Sequence, residues 1–151
     1  MKTIVLQGVS NSGKTGTVKK MIETLLKKYP NVNPFYHNLK FRHAMTVGTA
    51  KGGNVYDVWI AFERNDKKII IISLGDSMKI LEETYRLILR KTGWARTDIL
   101  LCCGHDTPNF SRFFQRLCGD EIIIVPKKKD AYDDELVSQK LFDLLDQEIR
   151  K

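Results

Sequence analysis

TIVLQGVSNSGKT, residues 3–15, places a glycine-rich loop between a short apolar run and a lysine-threonine pair. Thr3–Leu6 is apolar and β-branched, which predicts a buried strand. From Lys14 onward the apolar residues follow the spacing of one helix face until Pro30, so a helix is predicted there. The loop between them, Gly8–Thr15, matches the pattern G-x-x-x-x-G-K-[ST] at every fixed position.

The spacing of this loop suits an anionic phosphate chain. Glycines let successive backbone N–H groups turn inward around a phosphate, and the following helix presents its positive N-terminal end. Lys14 is then placed to contact the β- and γ-phosphates, and the Thr15 hydroxyl is placed to ligate Mg²⁺. A glycine-rich turn without any ligand is the alternative. The residues predicted to bind the nucleotide are Gly8, Ser10, Asn11, Ser12, Gly13, Lys14, Thr15 and Gly16.

With GVSNSGKT (residues 8–15) between a predicted strand and a predicted helix, the sequence resembles the P-loop nucleoside triphosphate hydrolase superfamily, as a small stand-alone member. The resemblance covers this Walker A motif and the α/β layout of the chain. It implies binding of ATP or GTP with Mg²⁺, without choosing between ATPase, GTPase and kinase. Lys127–Asp130 departs from the base-reading motif of GTPases, because it begins with lysine and follows the last strand. ATP is therefore the expected nucleotide.

Beyond the first helix, apolar runs alternate with amphipathic segments. Val55–Glu63 and Lys68–Leu74 are predicted to pair as an antiparallel hairpin through a polar connector. Nearly unbroken Ile, Val and Leu strands separated by helices indicate a three-layer α/β/α fold, with a mostly parallel sheet and one antiparallel strand from the hairpin. The other predicted elements are helices at about Ser77–Lys91, around Phe110–Leu117 and from Asp133 onward, and strands at Asp98–Cys103 and Glu121–Val125.

Residues 31–54 lack a clear period and are interrupted by proline and glycine, so they are predicted to be mostly loop, with a short possible strand at Pro34–His37. The hairpin places Leu39–Asn54 beside the phosphate end of the sheet. Its polar, glycine-containing composition predicts a mobile segment that, together with Arg112, orders when a triphosphate analogue binds. A surface loop unrelated to any ligand is the alternative.

Ligands of parallel α/β sheets bind outside the carboxyl ends of the strands, so the loops that follow these strands are expected to reach the nucleotide. Asp76 resembles the acid that orients the Mg²⁺ shell in P-loop enzymes, and capping the next helix is its alternative role. Asp106 is the rival carboxylate, and His105 either orients water or is an ordinary turn residue. Arg112 either neutralises transition-state charge or is a solvated helix arginine. The predicted catalytic residues are Lys14, Asp76 and Arg112, and the predicted metal ligands are Thr15 and Asp76.

The chain has 151 residues, 42% of them apolar, which is enough for one core, so a single domain over residues 1–151 is expected. Its net charge of +7 favours anionic partners, such as the nucleotide and a further small-molecule or nucleic-acid partner. The lysines of the first helix are interpreted as an ordinary solvated face. Adjacent Cys102 and Cys103 in an apolar run indicate buried thiols, and hence the cytoplasm, instead of a disulfide or zinc site. No apolar stretch is long enough for a membrane span.

Three functions fit these observations. The first is Mg²⁺-dependent hydrolysis of a nucleoside triphosphate, which the hairpin leading into Asp76 favours, because switch GTPases pair two strands in this way. The second is phosphoryl transfer by a nucleotide or small-molecule kinase, although no arginine-rich lid and no acceptor motif is found. The third is a nucleotide-regulated binding module with little turnover, which the +7 charge supports. Hydrolysis is the expected function, and kinase activity is the runner-up.

Overall fold

The structure, a computed structural model, describes residues 1–8, 14–30, 33–34, 43–46, 56–73, 77–105, 107–118, 121–128 and 133–151. Strands and helices alternate through most of these ranges, as the sequence predicts. Each predicted helix and strand outside residues 31–54 is confirmed to within two residues at its described ends. In chain order the elements are β1 (Lys2–Gln7), α1 (Lys14–Lys28), β2 (Asn33–Pro34), β3 (His43–Thr46), β4 (Tyr56–Arg64), β5 (Lys67–Ile72), α2 (Met78–Thr92), β6 (Ile99–Gly104), α3 (Pro108–Cys118), β7 (Glu121–Pro126) and α4 (Asp133–Arg150).

The described strands form a sheet in the order β2-β4-β5-β6-β1-β7, and β3 also pairs with β4. β5, β6, β1 and β7 are parallel neighbours, with Leu6 of β1 opposite Cys103 of β6 and Val125 of β7. β4 is antiparallel to β5, which confirms the hairpin. β6 separates β1 from β5, so the ends of β1 and β5 lie about 10 Å apart, two strand spacings.

Two short strands precede the hairpin, and both run in the direction of β5, so among the described strands β4 alone runs the other way, as expected. β2 overlaps the possible strand at Pro34–His37 at Pro34, and β3 is a strand that was not predicted. β2 and β3 both pair antiparallel with β4. Neither is long enough to show an alternating pattern, and each is a strand because β4 offers it backbone partners. His43–Thr46 therefore places a strand inside the predicted mobile segment, whose other residues lie outside the described ranges.

Helices cover both faces of the sheet. Side chains along β1 alternate between two apolar clusters, with Ile4 and Leu6 in one and Val5 in the other. The first cluster contains the buried faces of α1 and α4, and the second contains those of α2 and α3. The fold is thus α/β with three layers. Burial on both faces explains why the strands are runs of Ile, Val and Leu instead of alternating polar and apolar residues.

Local signals fix the hairpin turn and the ends of α2. Asn65 and Asp66, at the turn, have φ values of 52° and 60°, the left-handed conformation that two-residue hairpin turns require. Ser77 is the N-cap of α2, and its hydroxyl accepts a 3.3 Å hydrogen bond from the Ile80 N–H. Gly93 ends the helix with a φ of 73°. Ser77 thus fills the N-cap position, and Asp76, whose alternative role was to cap this helix, lies outside the described residues.

A partly buried carboxylate joins α1 to α4. Asp146 of α4 accepts hydrogen bonds from Lys28 at 2.9 Å and from the Tyr29 hydroxyl, and it pairs with Arg150 at 3.0 Å. Burial alone raises the pKa of the Asp146 carboxyl, but the hydrogen bonds from Lys28 and Tyr29 outweigh burial and hold this pKa below its usual value. The charged carboxylate therefore stabilises the folded chain.

Asp146→Asn is expected to lower the free energy of unfolding by about 2 kcal/mol at neutral pH, because the charge-assisted hydrogen bonds are weakened. The carboxylate contributes above the unfolded-chain pKa of about 4, and its contribution is lost as the pH falls through the lower pKa of the folded state. Urea unfolding across this range should show the variant and the wild type converging in acid. The matched control is Asp143→Asn, at an exposed position of the same helix. If the free energies of unfolding of Asp146→Asn and the wild type differ by the same amount down to the lowest pH, this assignment is contradicted.

Candidate functional site

The carboxyl ends of the parallel strands meet at one edge of the sheet, where the glycine-rich loop begins. Gly8 N–H donates a 3.0 Å hydrogen bond to the Gly104 carbonyl after β6. On the other side of β1, the Lys127 N–H donates a 2.7 Å hydrogen bond to the Gln7 carbonyl. The Gln7 side-chain amide also reaches the His105 carbonyl, at 3.3 Å. The start of the loop is therefore held between the ends of β6 and β7.

Lys14 and Thr15, in the first turn of α1, reach back to this edge. Lys14 is only 6% exposed, and its ammonium group donates a 3.2 Å hydrogen bond to the Gly8 carbonyl. The Thr15 hydroxyl donates a long hydrogen bond, 3.5 Å, to the carbonyl of Ser73, which directly follows β5. The beginning of α1 thus bridges the ends of β1 and β5, although β6 lies between these strands in the sheet.

Half of the predicted nucleotide-binding set lies in the part of the chain that the structure describes. Gly8, Lys14 and Thr15 are brought together. Gly16 follows them on the exposed side of α1, where a methyl group on its Cα would meet no described atom within 4 Å beyond the adjacent residues and backbone of its own helix. The predicted residues that fall outside the described ranges are Ser10, Asn11, Ser12, Gly13, Asp76 and Asp106.

Arg112 lies on the opposite face of the sheet from α1. Phe113 and Phe114 beside it point into the core, as the sequence predicts, and Arg112 is exposed. Its side chain lines an open groove of about 460 Å³ between α2 and α3, which also contains Met78 at the start of α2 and Asn109 at the start of α3. Both helices begin at the edge of the sheet where the loop lies. The structure therefore brings Arg112 to the α2–α3 groove.

The histidine and cysteines near this edge have ordinary packing environments. The His105 ring lies 5.0 Å from the Phe110 ring, centroid to centroid. Cys102 and Cys103 are both buried, and their side chains belong to the clusters on opposite faces of the sheet. Within the described residues, no three His, Cys, Asp or Glu side chains are grouped so that they could hold a metal ion.

Two further residues lie at this edge: Ser73 was not predicted, and Lys127 was expected there only as part of the loop after the last strand. Ser73 is buried directly after β5, and its carbonyl accepts a hydrogen bond from the Thr15 hydroxyl. Lys127 is 4% exposed, and its ammonium group donates a 2.7 Å hydrogen bond to the Lys128 carbonyl. Their positions in the sequence could have identified them, because each is the first polar residue after an apolar strand that ends at the site edge.

Gly104 is required by close packing behind this edge. A methyl group on its Cα would lie 2.7 Å from Phe114 Cε2 and 3.2 Å from Phe110 Cδ1. Both rings are buried, so neither can move aside without disturbing the core. The Gly104 carbonyl also accepts the hydrogen bond from the Gly8 N–H. A shift of the backbone at Gly104 would therefore also displace the start of the loop.

Gly104→Ala is expected to lower the free energy of unfolding by about 2 kcal/mol, the usual cost of overpacking. Gly16→Ala is the matched control, because a methyl group there meets open space and alanine favours a helix by up to about 1 kcal/mol over glycine. Urea unfolding of the two variants measures both effects. Equal stability of Gly104→Ala and Gly16→Ala would show that the two rings do not restrict this position.

Comparisons with protein-family models, with curated proteins and with solved structures find no match to this chain. Within the described ranges, no helix combines the length and the apolar character needed to cross a membrane. What the chain does must therefore be inferred from its own residues and their arrangement.

Proposed function

We propose that the chain binds a nucleoside triphosphate with Mg²⁺ and hydrolyses it as a small P-loop NTPase, with ATP as the nucleotide. One observation carries the proposal. Lys14, at the end of a complete Walker A motif, is buried at the carboxyl edge of the sheet and bonded to the Gly8 carbonyl at the other end of the same motif. An ammonium group held in this position can exchange a backbone carbonyl for phosphate oxygens.

Side chains of this chain would supply two of the functions that the reaction needs, phosphate binding and metal binding. Lys14 brings a positive charge to the β- and γ-phosphates, and the first turn of α1 offers N–H groups to an anion. Thr15 and Asp76 are the proposed Mg²⁺ ligands, and a hydroxyl and a carboxylate oxygen are donors that this hard cation prefers. When bound, Mg²⁺ neutralises charge on the phosphate oxygens. Ser73 positions the Thr15 hydroxyl by accepting its hydrogen bond.

Arg112 is the proposed source of further positive charge for the transferred phosphoryl group. It is exposed on α3, a helix that begins four residues after β6, at the edge of the sheet that holds Gly8. Its guanidinium lies on a solvent-accessible groove, so the side chain has room to turn toward the edge. This role requires movement of the Arg112 side chain when the triphosphate binds.

The products of the reaction distinguish hydrolysis from transfer. The chain is mixed with Mg²⁺-ATP and a pool of small-molecule acceptors, free phosphate is measured, and phosphorylated products are sought by mass spectrometry. Equal amounts of ADP and free phosphate are expected. A phosphorylated acceptor would contradict hydrolysis and select the kinase. Tight nucleotide binding without turnover would select the nucleotide-regulated binding module.

A further inference from the structure

The two helical layers of the fold differ in charge. α1 carries five basic residues and one acidic residue, and α4 carries two basic and six acidic residues, so this pair of helices is neutral overall. α2 carries four basic and two acidic residues, and α3 carries two basic residues and no acidic one, which gives that pair a net charge of +4. The excess positive charge on the helices therefore lies on the α2–α3 face.

The basic side chains of this face are exposed and form two rows. On α2 the row consists of Lys79, Arg86 and Arg90, whose spacing of seven and then four residues keeps them on one side of the helix. It extends over about 16 Å at 1.5 Å per residue. On α3 the row consists of Arg112 and Arg116, one turn apart. Lys79 of the first row and both arginines of the second line the groove of about 460 Å³.

Glu82 connects the rows. Its carboxylate accepts a 3.0 Å hydrogen bond from Arg86 and lies 3.6 Å from Arg116, so one acidic group orients a guanidinium from each helix. Both arginines remain mostly exposed, at 65% and 71% of their side-chain surface. The exposed parts of both guanidinium groups can donate hydrogen bonds to phosphate oxygens.

We propose that the α2–α3 face, defined by Lys79, Arg86, Arg90, Arg112 and Arg116, binds the phosphate backbone of double-stranded nucleic acid. Duplex DNA carries about one negative charge per 1.7 Å of axis, so a basic row of about 16 Å faces several phosphates at once. A small anion would engage only one end of such a row. The face has the charge and the length that a polyanion requires.

A duplex fits this face better than a single strand does. Proteins that bind single strands stack the bases on exposed aromatic side chains. The aromatic residues of α2 and α3 are all buried, namely Tyr85, Phe110, Phe113 and Phe114. The charged side chains of this face are cations apart from Glu82 and Glu83, and none of its exposed side chains is aromatic. The face therefore contacts phosphates instead of bases, and binding independent of sequence follows.

Fluorescence anisotropy with a labelled DNA duplex of about 20 base pairs tests the proposal. The wild-type chain is expected to bind, and its affinity is expected to fall about 100-fold between about 50 mM and about 200 mM salt, as for roughly four phosphate contacts. The double variant Arg90→Glu with Arg116→Glu is expected to bind at least tenfold more weakly at the lower salt concentration.

The matched control is Lys20→Glu with Lys27→Glu, which changes the net charge by the same amount at exposed positions of α1. It is expected to remain within about threefold of the wild type. The pair Arg90→Gln with Arg116→Gln repeats the test if charge reversal affects folding, which circular dichroism reports. Any of three results would overturn the proposal. They are an equal loss of duplex affinity in the two charge-reversed variants, no duplex binding by the wild type at low salt, and tighter binding of a single strand of the same length.

Discussion

Lys14→Ala is expected to weaken binding of the Mg²⁺-nucleoside triphosphate by about 100-fold, or roughly 3 kcal/mol, because a charge-assisted contact to the phosphates is lost. The fold should persist, since Lys14 contributes an ammonium group at the sheet edge and α1 is anchored by the apolar residues Val18, Met21, Ile22 and Leu25. Fluorescence titration with a labelled nucleotide gives the ratio of dissociation constants for the variant and the wild type.

The matched control for this measurement is Lys20→Ala. Lys20 is exposed on the same helix, so the substitution removes the same charge without touching the loop. Its dissociation constant should stay within about twofold of the wild type. Lys14→Met keeps most of the buried aliphatic stem, so it shows whether affinity is lost through the missing charge or through altered packing. If Lys14→Ala and the wild type bind ATP and GTP equally well, the loop is a glycine-rich turn without a ligand.

Asp76→Asn is expected to reduce turnover of Mg²⁺-ATP by about 100-fold, because an amide holds the metal and its water shell far less well than a carboxylate does. Asp76 follows Ser73, the residue whose carbonyl accepts the Thr15 hydroxyl, by three positions. The dependence of turnover on Mg²⁺ concentration, measured by phosphate release, should shift to higher concentrations. Thr15→Ala should shift it in the same direction.

The Asp106→Asn variant shows which of the two candidate carboxylates, Asp76 or Asp106, binds the metal. Asp106 follows β6, whereas the carbonyl that accepts the Thr15 hydroxyl belongs to Ser73, after β5. The Asp106→Asn variant should retain turnover within about threefold of the wild type if Asp76 is the metal ligand. Loss of activity in Asp106→Asn, with full activity in Asp76→Asn, would reverse the assignment.

The first strand and the first helix of the fold were predictable because their signals are local. The β-branched run of β1, the spacing of apolar residues in α1 and the polar connector of the hairpin each specify their own few residues. The same holds for α3, where phenylalanines at helical spacing predicted the buried face. These elements needed no knowledge of distant partners. The Ser77 cap of α2 was not predicted, because the helix was expected to begin at Ser77.

Features that depend on distant contacts were not predictable. β3 is a strand because β4 lies beside it, and its four residues carry no period of their own. The position of β6 between β1 and β5 is set by packing of the whole sheet, and it determines that Thr15 meets the Ser73 carbonyl. The close approach of Phe114 to Gly104 is likewise not visible in the sequence, because no pattern relates these two positions.

Calorimetric titration of the wild-type chain with a non-hydrolysable triphosphate analogue, with and without Mg²⁺, tests the central claim most directly. One binding site per chain is expected, with an affinity that falls at least about tenfold when Mg²⁺ is removed, since the ion offsets phosphate charge at the site. Absence of binding by both the ATP and the GTP analogue in the presence of Mg²⁺ would contradict the assignment of Gly8–Thr15 as a phosphate-binding loop.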